Sequence, residues 1–143
     1  MSTIEKAIEI AARAHVGQVD KAGQPYVFHP IRLMLAVSGE YERMAAVLHD
    51  VVEDTVVTLD DLRAAGFPPE VIAAVDILTK REGESRLNAA LRASRNPVTR
   101  VVKLADVKDN MDLGRIAKPT EKDYARLREY EQVHAVLERH GEI

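Results

Sequence analysis

Cysteine is absent from this sequence of 143 residues, and an excess of basic residues is absent as well. Without cysteine the chain has no disulfide, no thiolate nucleophile and no zinc-thiolate site, so any metal would need histidine and carboxylate ligands. Twenty Lys and Arg residues stand against 23 Asp and Glu residues, and the net charge of -3 gives no field that would hold a nucleic-acid backbone. We therefore expect no nucleic-acid partner.

Long apolar runs are also missing. A membrane-spanning helix needs roughly 20 consecutive apolar residues, whereas the stretch from Ile31 to Val37 is interrupted at once by Arg32. The segment Met1 to Lys6 lacks the basic run and apolar core of an export signal. Together with the absence of cysteine, these features predict no membrane partner and a cytoplasmic localisation.

The sequence instead carries apolar residues at helical spacing along its length. Ser2 and Glu5 have the spacing of a helix capping box, which predicts a first helix that ends near Val16. Further helix start signals are Pro30, Thr58 with Asp61, Pro68 with Pro69, Pro97, and Thr120 with Asp123. Because no segment alternates convincingly as a strand would, we predict a single compact all-α domain of several helices over residues 1–143.

Four polar residues interrupt a helix that is otherwise apolar on nearly every side. This helix is predicted to begin near Tyr41 and to contain His49, Asp50, Glu53 and Asp54. Because helix positions four apart share a face, His49 lies over Glu53 and Asp50 lies over Asp54. Three acids crowded in apolar surroundings repel one another unless a cation is present, which makes a divalent metal the economical explanation. The alternative is a helix end in solvent, with surface acids and a hydrogen-bonded core histidine.

A second apolar helix shows the same kind of interruption. Asp106 and Asn110 are four residues apart on one face, and Lys103 lies one turn earlier. The third candidate is His29, which stands just before the predicted helix start at Pro30, where its side chain can face the preceding loop. The candidate ligands are therefore two imidazoles and two carboxylates: His29, His49, Asp50 and Asp106. This donor set suits manganese, iron or zinc and leaves positions open for water and substrate.

Four motifs connect these residues in order along the chain. They are A-H-x-G-Q at 14–18, K-x-G-x-P-Y-x-x-H-P at 21–30, L-H-D-x-x-E-D-T at 48–55 and V-K-L-A-D-x-x-D-N at 102–110. In this order and at these distances the motifs resemble those of the HD-domain (p)ppGpp hydrolases of the RelA/SpoT family. The chain is most similar to the small, stand-alone alarmone hydrolase type, because no residues remain for the synthetase and regulatory domains of long members.

The resemblance implies an HD-domain fold and hydrolysis of the 3′-pyrophosphate of ppGpp or pppGpp, giving GDP or GTP and pyrophosphate, in stringent-response alarmone turnover. It implies that the metal is one Mn2+ ion bound by the quartet His29, His49, Asp50 and Asp106. Glu53 would then accept the proton of the attacking water, and Asp54 would orient that water. Lys21 would lie near the guanine base, Asn110 near the sugar and Lys103 near the phosphates, although Lys103 has the alternative of pairing with a neighbouring acid.

Two departures from the family pattern keep other functions open. Asp20 stands where long enzymes commonly have an arginine, and the segment from Arg86 to Arg95 lacks the tyrosines of small relatives. An HD-type phosphohydrolase acting on another phosphorylated nucleotide, such as NADPH, is therefore one alternative. A non-hydrolysing alarmone-binding module and a purely structural helical protein are further alternatives, and a homo-oligomer stays open.

Overall fold

A computed structural model describes residues 2–141 of the chain, and for residues 140 and 141 it describes the backbone alone. The α-helices are α1 Ile4–Ala14, α2 Phe28–Ala36, α3 Glu40–Leu48, α4 Val51–Asp54, α5 Leu59–Ala64, α6 Pro69–Leu78, α7 Arg86–Ala93, α8 Pro97–Asn110 and α9 Glu121–Gly141. A short 3-10 helix covers Leu113–Arg115, and one isolated β-bridge joins Val19 to Pro25. Within 2–141 there is no strand, which confirms the all-α prediction. Residues 1, 142 and 143 of the expected domain lie outside the described residues.

Helix α3 forms the centre of the molecule because its sequence is apolar on almost every side. Its residues 44–48 are all buried, and the helix contacts α1, α2, α6 and α8. Helix α9 packs separately on α7 and α8 through Val133 and Leu137. The two metal-ligand helices of the prediction, α3 and α8, are thereby held side by side at the centre of the fold.

The start of α1 differs from its prediction. Thr3, not Ser2, caps the helix and accepts a hydrogen bond from the backbone N–H of Lys6 at 3.2 Å. Ser2 is instead buried and donates its hydroxyl to the carbonyl of Ala65, since the preceding segment runs against the end of α5. The helix also ends at Ala14, two residues before the predicted limit.

The central helix is broken where a continuous helix was predicted. Helix α3 ends at Leu48, and α4 begins at Val51 after a turn at His49 and Asp50. The His49 ring donates a hydrogen bond from Nδ1 to the carbonyl oxygen of Ala46 at 2.7 Å. In a continuous helix, that carbonyl oxygen would accept the backbone N–H of Asp50. The break therefore results from a side chain that competes with the helix backbone, and it turns both polar residues toward α2 and α8.

The other helix start signals are confirmed. Thr58 and Asp61 form a reciprocal capping box at α5, and Thr120 exchanges backbone and side-chain hydrogen bonds with Asp123 at α9. Pro69 and Pro97 are the first residues of α6 and α8, where the missing N–H costs nothing. Among the helices of residues 2–141, none is long and apolar enough to cross a bilayer.

Candidate metal centre and active site

The four predicted metal ligands come from three separate segments and meet at one point. His29 lies in the first turn of α2, His49 and Asp50 form the break between α3 and α4, and Asp106 lies on α8. Ligand atoms of the first three all lie within 4.8 Å of one another. Asp106 Oδ1 is 2.9 Å from His29 Nε2 and 3.7 Å from His49 Nε2. Positions 29 and 106 are brought together by the packing of α2 on α8.

The His49 ring is arranged as a metal ligand and not as a satisfied core histidine. Because Nδ1 lies 2.7 Å from the Ala46 carbonyl, Nδ1 carries a proton, and Nε2 is the nitrogen whose lone pair a metal would bind in the neutral ring. Nε2 is buried without a hydrogen-bond partner among residues 2–141, yet it lies 3.0 Å from Asp50 Oδ2. Lone pairs of nitrogen and carboxylate oxygen repel one another at this distance unless a proton or a metal cation lies between them. These residues therefore fit a divalent metal, and their N and O donors are those that manganese, iron or zinc accepts.

A carboxylate behind His29 fixes the orientation of its ring. Asp109 Oδ2 lies 2.6 Å from His29 Nδ1, which leaves Nε2 directed at the metal cluster. Arg32 in turn holds Asp109 through two hydrogen bonds of 2.8 and 2.9 Å. Burial lowers the pKa of His29, but its hydrogen bonds with Asp106 and Asp109 outweigh that effect and raise the pKa to about 9. A carboxylate, histidine and metal in series is a common arrangement in metal sites.

Tyr26 contributes directly to the cluster. Its hydroxyl donates a hydrogen bond to Asp50 Oδ2, and burial together with the Asp50 charge raises the pKa of this phenol. The ring also packs between those of His15 and His29, with centroids at 4.9 and 5.7 Å. His15 itself is buried and hydrogen-bonded to Gln18 at 2.8 Å.

The two acids proposed to handle water lie on the open side of the cluster. Ligand atoms of Asp50, Glu53 and Asp54 all lie within 4.8 Å of one another, and the side chains of Glu53 and Asp54 are exposed. Burial of its carboxyl and the charges of Asp50 and Glu53 raise the pKa of Asp54 to about 6. Glu53 Oε1 accepts a hydrogen bond of 2.7 Å from the backbone N–H of Lys80. The acids are thus both close to the cluster and reachable from solvent.

Lys103 and Asn110 contact Asp106 from either side. Lys103 Nζ donates to Asp106 Oδ2 at 3.1 Å, and Asn110 Nδ2 donates to Asp106 Oδ1 at 3.0 Å. Burial alone would raise the pKa of Asp106, but Lys103 and the two imidazoles hold it well below its usual range. The carboxylate is therefore ionised and oriented as a metal ligand must be.

Two adjoining cavities open from the cluster. One of about 250 Å³ contains the His and Asp cluster, Glu53, Lys80 and Lys103. The other, of about 350 Å³, contains Lys21 and Arg126. The side chains that line both cavities are Tyr26, His29, Asn110 and Tyr130. Partial burial and the neighbouring cations Arg126 and Arg86 lower the pKa of Lys21. Cations crowded in this way suit an anionic ligand that reaches from one cavity into the other.

Sequence reasoning gave no role to several residues of the site. Asp109 was visible in the last motif but its partner, Arg32, is 77 residues away, so only the folded chain shows the contact. The departure at Asp20 has a local reason, because its carboxylate accepts the backbone N–H groups of Ala22 and Gln24 and shapes the loop before Tyr26. Asp20 also lines the larger cavity, next to Lys21.

Comparison with known proteins agrees with this geometry. The chain is 37% identical to a GTP pyrophosphokinase of Streptomyces coelicolor over 94% of its length, and 31% identical to a guanosine-3′,5′-bis(diphosphate) 3′-pyrophosphohydrolase of Vibrio cholerae over 95%. It covers 17% and 23% of those two proteins. No family model matches the chain.

A solved structure is similar in fold over most of both chains. A metazoan ortholog of SpoT, described as hydrolysing ppGpp and acting in starvation responses, superimposes with a TM-score of 0.77 at 25% identity, covering 96% of this chain and 85% of that one. These matches support membership of the HD-domain RelA/SpoT family. In this chain four histidines and aspartates of the motifs converge at one centre. Glu53, Asp54, Lys103 and Asn110 line the same cavity, whereas Lys21 lines the adjoining one.

Proposed function

We propose that the chain is a metal-dependent guanosine-3′,5′-bis(diphosphate) 3′-pyrophosphohydrolase that converts ppGpp or pppGpp to GDP or GTP and pyrophosphate. The observation that carries the proposal is the buried, unpartnered Nε2 of His49 beside Asp50 and Asp106, at the floor of a cavity that also holds carboxylates and lysines. A protein that only binds the nucleotide would not need the exposed acids Glu53 and Asp54 within 4.8 Å of Asp50, a proposed metal ligand. The hydrolytic names of the Vibrio cholerae relative and the metazoan ortholog support the same reaction.

The residues that would hold the metal are His29, His49, Asp50 and Asp106, and we propose Mn2+ as the ion. A bound divalent cation would lower the pKa of a water molecule and offset negative charge on the phosphoryl oxygens. Tyr26 and Lys103 keep Asp50 and Asp106 ionised and in place.

The remaining residues act on the water and the nucleotide. Glu53 accepts the proton of the attacking water, and Asp54 orients that water through a hydrogen bond. Lys103 lies at the phosphate side of the cluster, where it offsets the charge of the pyrophosphate group. Asn110 lies at the junction of the two cavities and contacts the sugar, and Lys21 lies in the adjoining cavity with the base. The substrate thus spans both cavities, with its 3′-pyrophosphate at the metal.

The test measures pyrophosphate release from ppGpp and pppGpp by the purified chain with Mn2+, with NADPH as an alternative substrate. Glu53→Gln is expected to retain the metal and lose on the order of 100-fold or more in kcat, since a positioned general base contributes about that much. Asp106→Asn is expected to lose metal as well as turnover. Asp60→Asn, at an exposed ion pair with Arg63, is the matched control and should behave as the wild type.

The outcomes separate the alternatives. Metal-dependent release of pyrophosphate that Glu53→Gln loses establishes the hydrolase. Release of phosphate from NADPH alone reassigns the substrate, and nucleotide binding without turnover of any substrate overturns the hydrolase in favour of a binding module.

A further inference from the structure

The peptide that joins Thr79 to Lys80 links the loop after α6 to the candidate active site. Its N–H, on Lys80, donates a hydrogen bond of 2.7 Å to Oε1 of Glu53. A hydrogen bond from a neutral donor to a carboxylate is stronger than one between neutral groups, so this contact fixes one carboxylate oxygen of Glu53. The other oxygen is left for a water molecule.

The carbonyl of the same peptide is held by two arginines. Thr79 O accepts hydrogen bonds from Arg81 Nη1 at 2.8 Å and from Arg92 Nη2 at 3.3 Å. In a planar trans peptide the C=O and N–H bonds point in opposite directions, and the described residues contain no cis peptide. Any force that orients the carbonyl therefore also orients the N–H toward Glu53.

Arg92 is itself firmly anchored. Its Nε and Nη2 atoms form a bidentate pair with the Glu84 carboxylate at 3.1 and 2.8 Å, and Nη1 donates to the carbonyl of Ile77 at 2.6 Å. The planar guanidinium thus joins the end of α6, the carbonyl of Thr79 and the far side of the loop. Arg81 is anchored more simply, by Asp76, through its backbone carbonyl at 2.8 Å and its carboxylate at 3.1 Å.

We propose that Arg92, assisted by Arg81, is a positioning residue for Glu53. The two guanidinium groups fix the plane of the Thr79–Lys80 peptide, and the peptide fixes the carboxylate that accepts the proton of water. Neither arginine touches the reacting atoms. The inference rests on the role of Glu53 in the proposed function.

The first test compares kcat, KM and Mn2+ affinity for Arg92→Gln and Arg81→Gln. A misplaced catalytic group lowers the rate without weakening binding, so kcat is expected to fall on the order of tenfold for Arg92→Gln and less for Arg81→Gln, while KM and the Mn2+ Kd stay at wild-type values. Arg63→Gln removes an exposed arginine from a remote ion pair and should leave all three values unchanged. A purely structural role would lower the melting temperature and leave kcat unchanged in the folded protein, which overturns the proposal.

The second test combines Arg92→Gln with Glu53→Gln. If Arg92 acts through Glu53, the arginine substitution lowers kcat in the wild type but has little further effect once Glu53 is replaced. Equal effects in both backgrounds overturn the proposal. Should Arg92→Gln fail to fold, Arg81→Gln is used in the same cycle, because the side chain of Arg81 is 46% exposed and that of Arg92 is 26% exposed.

A third readout does not depend on activity. Hydrogen exchange of the Lys80 amide, followed by NMR, should be faster in Arg92→Gln, Arg81→Gln and Glu53→Ala than in the wild type. Each change removes a hydrogen bond that holds the Thr79–Lys80 peptide, either at its carbonyl or at its N–H. Unchanged exchange in both arginine variants overturns the inference. If the wild type hydrolyses no ppGpp, the proposed function fails, whereas the exchange rates still decide whether the arginines hold this peptide toward Glu53.

Discussion

Replacing Asp109 by asparagine tests whether this carboxylate orients His29 for metal binding. Asp109 accepts from His29 at 2.6 Å and from Arg32 at 2.8 and 2.9 Å. Asparagine keeps the shape, but if its oxygen stays at the Oδ2 position between His29 and Arg32, its NH2 group faces the donor Nε of Arg32, and the negative charge is lost. Removal of such an outer partner typically costs about 10- to 100-fold in metal affinity, or about 1.4 to 2.7 kcal/mol.

Mn2+ titration calorimetry on wild type and Asp109→Asn measures this loss directly. The matched control is Asp112→Asn, since Asp112 lies in the next turn with a side chain 56% exposed and pairs with Arg115 but not with His29. The control is expected to bind Mn2+ as the wild type does. The reasoning is refuted if Asp109→Asn keeps the wild-type Kd while folded, or if the control loses affinity equally.

Three further predictions concern stability. Leu62→Ala, at a fully buried position, should lower the free energy of unfolding by about 2 to 5 kcal/mol in urea denaturation, while Leu87→Ala, at a residue 41% exposed, should change it far less. Thr58→Ala removes a helix cap and should cost about 1 kcal/mol in the same experiment. The Arg92 guanidinium and the backbone N–H of Arg81 lower the pKa of Glu84 to about 2 from an ordinary 4.5. A carboxyl group whose pKa is lowered by folding stabilises the fold at pH values above its unfolded pKa, and this stabilisation is lost as the pH falls through the folded pKa. The loss of unfolding free energy caused by Glu84→Gln should therefore be full at pH 7, become smaller below about pH 4.5 and vanish near pH 2. A difference in unfolding free energy between the wild type and Glu84→Gln that stays constant with pH contradicts this assignment.

The part of the site that lies on regular helices could be predicted from the sequence. Asp106 and Asn110 are four residues apart on an unbroken helix, and their hydrogen bond of 3.0 Å follows from helix geometry. The capping boxes at Thr58 and Thr120 were equally local signals, and the structure contains both.

The part that depends on long-range contacts could not be predicted in the same way. The break at His49 arises from a side chain that takes a backbone acceptor, and a hydrophobic pattern contains no sign of that competition. The contact of Arg32 with Asp109 joins helices distant in sequence, and that of Tyr26 with Asp50 joins the loop before α2 to the break between α3 and α4. Packing decides these pairs, whereas spacing within one helix does not.

Crowding of acids was one sequence feature on which the metal-site prediction rested, and the structure brings these acids together. Asp50, Glu53 and Asp54 lie together, and the pKa of Asp54 is raised to about 6 by burial and by its two neighbours. Such an arrangement is unfavourable for a protein without a cation. The orphaned nitrogen of His49 shows the same need from the other side of the cluster.

The most direct measurement of the central claim is pyrophosphate production from ppGpp by the chelator-treated chain before and after addition of Mn2+. The account predicts no turnover without the metal, turnover with GDP and pyrophosphate in equal amounts after its addition, and no recovery in Asp106→Asn. Equal turnover in the presence and absence of chelator, or none in either condition with protein that binds Mn2+, would contradict the account.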